Sequence, residues 1–413
     1  MRKSDTIVIG SGLAGLIAAL ASAERGQKVT LLSYGSGSLS LNSGVIDVLG
    51  YDEHHVPVTS PRKGIGTLPD THPYRKVGME MIEKAVAFFL DTTNKYHLPY
   101  RGSLDRQIFV PTAVGTMKPT CLAPKSLDGS GMDQSSKAVI VGIKGLKDFY
   151  ADIMVENLKK ALPNIRQYEL MEVDTGLTGG RDITTLDVAR WMETEDGFRS
   201  FVEQAKSRAD AKTVFVLPQI LGTEGDSCAE RTRDALGAEV VETTCLPPSV
   251  NGLRLQALLL KALRNNGATI VEDAKVIRAV TEGSRCAGVV TWAGVREKTY
   301  RASKFILATG GFYSGGIAMR EFDHPKETIF GLPVWFPEGE ENWSNKELFS
   351  DQPQGFAKTG ILVDEKLCPV DKDGKRILDN VHVVGRNLGG YDFCFEHSGN
   401  GVALVSAYKA AQM

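Results

Sequence analysis

Three glycine-centred motifs in this chain combine residue types and spacings that suit the holding of a phosphate-bearing cofactor. The first, Gly10-Ser11-Gly12-Leu13-Ala14-Gly15, fits Gly-x-Gly-x-x-Gly. In that pattern the first glycine permits a tight turn, the second lets backbone approach a pyrophosphate, and the third packs helix on strand. A phosphate there would meet free N–H groups and the positive end of a helix dipole. An acidic residue for the adenosine ribose is expected about 20 residues further on. Here that place holds Ser33-Tyr34, so a hydroxyl replaces the charged acceptor, and no arginine stands there to favour a 2′-phosphate.

The second motif, Ala308-Thr309-Gly310-Gly311, ends an apolar run and leads into Phe312-Tyr313-Ser314-Gly315-Gly316. The third is Val381 to Gly385, running into Arg386-Asn387-Leu388-Gly389-Gly390 and then Ser398-Gly399-Asn400-Gly401 before a small-residue helix. Strand ends at the carboxyl edge of a doubly wound sheet are where a dinucleotide lies. The order of the three motifs resembles that of flavoproteins whose FAD-binding fold is built in two halves. Many of those carry an acidic residue after the glycine of the last motif; this chain has Arg386, which suits a phosphate better than a sugar hydroxyl. The Ser33 to Gly44 stretch, nearly all Ser, Gly, Leu and Asn, reads as a loop close to ligand. The cofactor set is therefore Gly10, Ser11, Gly12, Leu13, Ala14, Gly15, Ser33, Ser43, Gly44, Ala308, Thr309, Gly310, Gly385, Arg386 and Gly399.

Residues for the substrate chemistry stand out less. Arg254 or Arg386 could hold a phosphate. Alcohol oxidation needs a base for the hydroxyl proton, and His397, between Glu396 and Ser398, is the candidate. Residues 53–125 carry 10 Lys+Arg against 6 Asp+Glu, a local +4 suited to a phosphorylated substrate and equally to a solvated surface.

The elements that must position these residues can be read from periodicity. Thr6 to Ile9 is a short apolar run expected of a parallel strand buried on both faces. Leu13, Leu16, Ile17 and Leu20 repeat at helical spacing, Gly26 fits the helix end, and Val29 to Leu32 gives the next strand. Met81, Ile82, Ala85, Phe88 and Phe89 mark a helix, Val139–Val141 and Val214–Leu217 look like buried strands, and Ser126 to Ser136 an exposed loop. Leu255, Leu258, Leu259, Ala262 and Leu263 predict another helix, stopped by Gly267 before a strand at 268–271. The expected architecture is α/β: a doubly wound, Rossmann-like nucleotide-binding domain of residues 1–45 and 246–413, interrupted by an α+β or α/β domain at 46–245.

Composition narrows the function classes. Of the 413 residues 43 are glycine, against a typical share of about 7%, and 15 of them lie in the motifs and the Ser33 to Gly44 stretch. A net charge of −2 gives no global attraction to nucleic acid. The six dispersed cysteines form no Cys-x-x-Cys, which argues against iron–sulfur ligation and structural zinc. The apolar run from Leu13 stops at Ala21, well short of the roughly 20 residues that span a bilayer. Asp5 and the strand that follows it do not read as a signal peptide, so a cytoplasmic protein is expected.

The middle of the chain sharpens the resemblance. Lys137 to Phe149, Leu246 to Leu255, and Gly385 to Gly401, with the N-terminal fingerprint and the Ala308-Thr309-Gly310 turn, resemble the anaerobic glycerol-3-phosphate dehydrogenase B-subunit family. That resemblance implies a flavoprotein subunit carrying FMN, with FAD the alternative that the dinucleotide motif allows. It implies an FAD-bearing catalytic A subunit, a membrane-bound iron–sulfur C subunit that would hold this chain at the inner face of the membrane, and quinone as final acceptor. The implied reaction is oxidation of sn-glycerol 3-phosphate to dihydroxyacetone phosphate. Two alternatives stay open: an electron-relay or assembly subunit without its own active site, and a self-sufficient FAD-dependent reductase or dehydrogenase of another small acid.

Overall fold

The structure, a computed structural model, describes residues 4–177, 179, 181–292, 294, 296–319, 324–347 and 352–413. The chain packs as two units. One comprises Met1–Ser38, Asp47–Phe89 and Leu259–Met413; the other comprises Leu39–Ile46 and Leu90–Leu258.

The first unit is built on a five-stranded sheet in the order Thr269–Val271, Val29–Leu32 (β2), Ser4–Ile9 (β1), Ala302–Leu307, Val381–Val383. Every pairing is parallel, and β1 sits at its centre, with Ile7 opposite Thr30 on one side and Phe305 on the other. Thr6 to Ile9 are buried because a central parallel strand is covered on both faces.

Between β1 and β2 runs the helix Leu13–Glu24 (α1), buried from Leu13 to Ala23. It lies against the C-terminal helix Gly399–Gln412. Alanines along both helices permit this close approach, while Leu16, Ile17 and Leu20 each add roughly 1.5–3 kcal/mol of burial. Gly26 ends α1 as expected, its N–H donating to the Ala23 carbonyl at 2.9 Å. Lys304 closes the other helix, its ammonium donating to the Ala410 and Ala411 carbonyls at 3.3 Å. An antiparallel sheet of Lys275–Glu282, Arg285–Trp292 and Glu297–Tyr300 precedes the fourth strand.

The second unit has a parallel sheet with helices, and beside it two antiparallel pairs, Tyr100–Gly102 with Leu122–Pro124 and Ile108–Pro111 with Met117–Thr120. Its sheet runs Glu239–Glu242, Thr213–Leu217, Lys137–Ile143, Gln167–Val173, parallel throughout. Helices Ala151–Ala161, Thr185–Glu193, Glu195–Ala205 and Ser227–Leu236 belong to this unit, and their buried apolar residues join the core around the sheet. The predicted strands at Val139–Val141 and Val214–Leu217 are both here.

Two expectations change. Residues 47–89 pack with the nucleotide-binding sheet rather than with the insert, whereas 39–46 and 246–258 belong to the second unit. Within that unit Tyr74 is fully buried, donates its hydroxyl to the Val48 carbonyl and lies 3.3 Å from that of Ser398, at the start of the C-terminal helix. The stretch Ser126 to Ser136 is not simply exposed, because Ser126, Leu127 and Met132 are buried and the Ser126 hydroxyl donates to Glu242 at 2.8 Å.

Candidate functional site

The three motif glycines have different reasons to be glycine. A Cβ on Gly10, whose φ is +108°, would lie 2.3 Å from the Ala308 carbonyl oxygen, and one on Gly15 would lie 1.8 Å from that of Gly10. Packing of β1, α1 and the neighbouring strand end therefore requires both. A Cβ on Gly12 would meet only the Ser38 hydroxyl, at 3.9 Å. Its backbone is ordinary extended chain, and α1 starts there with no side-chain cap and no acidic residue in the first turn. The cap residue thus offers no side-chain oxygen to the helix dipole or to its first N–H groups. A phosphate group suits such a helix start.

At the end of β2 the Ser33 hydroxyl is turned towards the fingerprint turn. It donates to the Gly35 carbonyl at 2.8 Å and lies 2.7 Å from the Ser11 hydroxyl, itself 3.2 Å from the same carbonyl. Gly37 follows so closely that a Cβ would sit 2.6 Å from the Ser11 carbonyl oxygen. Residues 33–38 thus brace the turn, and a neutral, already engaged hydroxyl occupies the place of the ribose-binding carboxylate. Ser43 and Gly44 fall in the second unit. There Gly44 is accounted for by packing, with a Cβ 2.9 Å from that of Asn251 and its carbonyl accepting from Tyr100 at 2.6 Å.

The second and third motifs meet through Asn387, which sequence reasoning passed over. Fully buried, its amide accepts from the Gly310 N–H at 2.8 Å and donates to the Thr309 hydroxyl at 3.0 Å. Gly385 packs on α1, where a Cβ would lie 2.8 Å from that of Ala14, and its N–H donates to Ser406 at 3.0 Å. Gly10, Gly15, Ala308, Thr309, Gly310 and Gly385 are thereby brought together at the carboxyl ends of three neighbouring strands of the sheet. Nothing in the sequence separates Asn387 from a surface asparagine; only its partners do.

The candidates for substrate chemistry fare differently. Arg254 lies in the second unit and is buried, with all five N–H groups spent: Nε and Nη2 on the Gly222 carbonyl, Nη1 on Asn251 and Glu242, Nη2 again on Glu242. It is the centre of a core ion pair and has no donor left for a substrate phosphate. His397 adopts left-handed backbone, φ +48°, and sets its ring edge-on to Tyr51 at 4.7 Å between centroids. The ionisable groups that do converge are its neighbours. Glu396 accepts from His72 Nε2 at 3.1 Å and from the Ser398 hydroxyl at 2.9 Å. His72 accepts the Tyr74 N–H at Nδ1, which places the ring proton on Nε2. Arg386 stacks on Phe393, its guanidinium carbon 3.4 Å from the ring centroid.

Among the described residues no cluster of three or more His, Cys, Asp or Glu is arranged for a metal ion. All six cysteines are free, and burial pushes the thiols of Cys228, Cys245, Cys286 and Cys368 up to about 11, unfavourable for a thiolate ligand. No helix of the described residues is long and apolar enough to cross a membrane.

Residues 5–402 match the family described as an FAD binding domain. A protein of Halobacterium salinarum, named as the probable B subunit of anaerobic glycerol-3-phosphate dehydrogenase, is 33% identical over 422 residues, covering 99% of this chain and 97% of its own. The chain belongs to that B-subunit family. A Vibrio cholerae protein named as the B subunit of anaerobic glycerol-3-phosphate dehydrogenase is 29% identical over 100% of this chain and 96% of its own. One of Pectobacterium atrosepticum with the same name is 28% identical over 99% and 98%. The flavoprotein fold and the flavin expected from the three motifs agree with both findings, and the resemblance read from the sequence is confirmed over nearly the whole chain.

Proposed function

We propose that the chain is the flavin-bearing B subunit of a glycerol-3-phosphate:quinone oxidoreductase that converts sn-glycerol 3-phosphate to dihydroxyacetone phosphate. The observation that carries this reading is the end-to-end match to relatives bearing that subunit name, and the helix start at Gly12, without a side-chain cap, supports it. Gly10 to Gly15 would hold the flavin phosphate, and Ala308, Thr309, Gly310, Gly385 and Gly399 the remainder of the group. A bound flavin supplies a two-electron acceptor for the hydride of the substrate carbinol. The chain's own part is to fix the turns rigidly, through Asn387 and Ser406, and to present α1's N–H groups to the phosphate.

FMN is the favoured occupant and FAD the alternative. Ser33, held by Ser11 and Gly35, offers the adenosine ribose no charged acceptor, which favours the shorter nucleotide. The partners are an FAD-bearing catalytic A subunit and a membrane-bound iron–sulfur C subunit, with quinone as final acceptor and assembly at the cytoplasmic face. A second reading, in which this chain relays electrons while a partner oxidises the substrate, is favoured by the saturation of Arg254, which removes one of the three candidates for substrate chemistry.

The test is to purify the chain, record its visible spectrum, and identify the cofactor released on denaturation by chromatography. A colourless protein that takes up neither FMN nor FAD refutes the flavin reading. Anaerobic addition of sn-glycerol 3-phosphate, with and without the A subunit, then separates the roles: bleaching of the chain alone places oxidation here, and bleaching only with the partner favours relay.

A further inference from the structure

The loop after the strand Val381–Val383 carries a cation whose surroundings the flavin reading leaves unused. Arg386 is half-buried, stacked on Phe393 and flanked by the Tyr391 ring at 5.3 Å. Stacking orients the guanidinium plane and satisfies its face, but its in-plane N–H groups still require acceptors. Nη1 is buried with no well-aligned hydrogen-bond acceptor among the described residues, and the hydroxyl of Tyr391, itself 1% exposed, has beside it the Arg386 guanidinium, which can only donate and so leaves the phenol proton without an acceptor. Buried polar groups in native proteins are rarely left so. Burial raises the Tyr391 phenol against the opposing pull of the Arg386 charge and of a hydrogen bond from Arg386, so the hydroxyl keeps its proton and can donate it.

The neighbouring carboxylates do not answer this need. Asp392 accepts from the N–H groups of Cys394 and Phe395, and Glu396 from His72, Ser398 and the Asp392 N–H. Every other buried or half-buried arginine among the described residues, Arg62, Arg208, Arg233, Arg254 and Arg376, has a carboxylate partner. Gly311 lies beside the site: a Cβ there would stand in ordinary contact with Nη2, at 3.8 Å, and 3.3 Å from the Arg386 carbonyl oxygen.

We propose that Arg386 and Tyr391 form an anion subsite that takes a phosphate group, with Nη1 and the phenol hydroxyl each donating to one of its oxygens. The choice of phosphate rests on the function proposed above, under which two phosphates are at hand, that of the flavin and that of the substrate. Both have the same chemistry, several charged acceptor oxygens suited to a fixed guanidinium fork.

The experiment compares the full chain with Arg386→Gln and with Tyr391→Phe, which keeps the ring and so reports even if the arginine variant fails to fold. One arm measures affinity for FMN against riboflavin; a second, on flavin-loaded chain, measures sn-glycerol 3-phosphate against glycerol. Arg386→Gln is expected to weaken the phosphate-bearing member of one pair by about tenfold or more, and Tyr391→Phe by roughly severalfold, with the phosphate-free member unchanged. The arm that responds names the source. If the wild-type chain takes up no flavin, the functional reading fails on its own account, and titration with inorganic phosphate then tests the subsite by the same comparison. A wild type with no preference for phosphate, or variants that keep that preference intact, overturns the proposal.

Discussion

Replacing Gly12 by alanine separates the demands of the fold from those of the ligand. The added methyl meets nothing closer than the Ser38 hydroxyl at 3.9 Å, and φ −71°, ψ −179° suits alanine. Reduced freedom of the unfolded chain stabilises by about 0.4–1 kcal/mol, and the poorer helix start offsets this by a few tenths to about 1 kcal/mol. The net change stays within about 1 kcal/mol, a shift of a few degrees at most in the thermal midpoint. Gly15→Ala drives its methyl to 1.8 Å from a backbone oxygen that no rotamer can move, so it destabilises by about 1–3 kcal/mol or more. For the ligand the order reverses. In the proposed site a methyl at Gly12 would stand where the phosphate approaches α1, and loss of two charge-assisted hydrogen bonds at roughly 1.5–3 kcal/mol each would weaken flavin binding by about 10²- to 10⁴-fold. Thermal unfolding of the flavin-free chain and fluorescence titration with FMN read the two effects separately. A Gly12→Ala chain that binds flavin as the wild type does, or unfolds as early as Gly15→Ala, refutes the reasoning.

Other outcomes follow from the same geometry. Arg254→Met leaves Glu242 buried without its counter-ion and should lower stability by about 3–5 kcal/mol in urea unfolding; a wild-type midpoint would show that the pair is not structural. Asn387→Leu strands the Gly310 N–H and unties the two turns, so stability should fall by about 1–3 kcal/mol, with a larger proportional loss in flavin affinity by fluorescence titration. Burial lowers the Lys304 ammonium to about 8 from the usual 10.5. Between those values the unfolded chain keeps a proton that the folded chain has released, so stability rises with pH across the window and carries the full penalty below it. Urea midpoints from pH 7.5 to 10.5, a range set by that shift, should show this slope in the wild type, and Lys304→Met should flatten it.

The parallel sheet and the glycine turns that end its strands were legible in the residues alone. Gly10, Gly12 and Gly15 mark positions where a side chain is excluded or left out, and the periods of Thr6–Ile9, Leu13–Leu20 and Val29–Leu32 specify their strands and helix locally. The order of the three motifs added the architecture, because each glycine turn follows a buried parallel strand. Polar residues were not legible in the same way. Arg254 has the character of a phosphate ligand in the sequence, yet Glu242, Asn251 and Gly222 consume its donors in the fold. Asn387 stood in the third motif with nothing to single it out, His72 carried no signal at all, and no local pattern in residues 47–89 marks the unit they pack with. A glycine's meaning is contained in its own backbone and its immediate neighbours. The meaning of a buried charge or amide depends on which groups satisfy it, and for His72 and Glu396 those lie 324 positions apart, a pairing that no local pattern encodes and that exists only once the chain has folded.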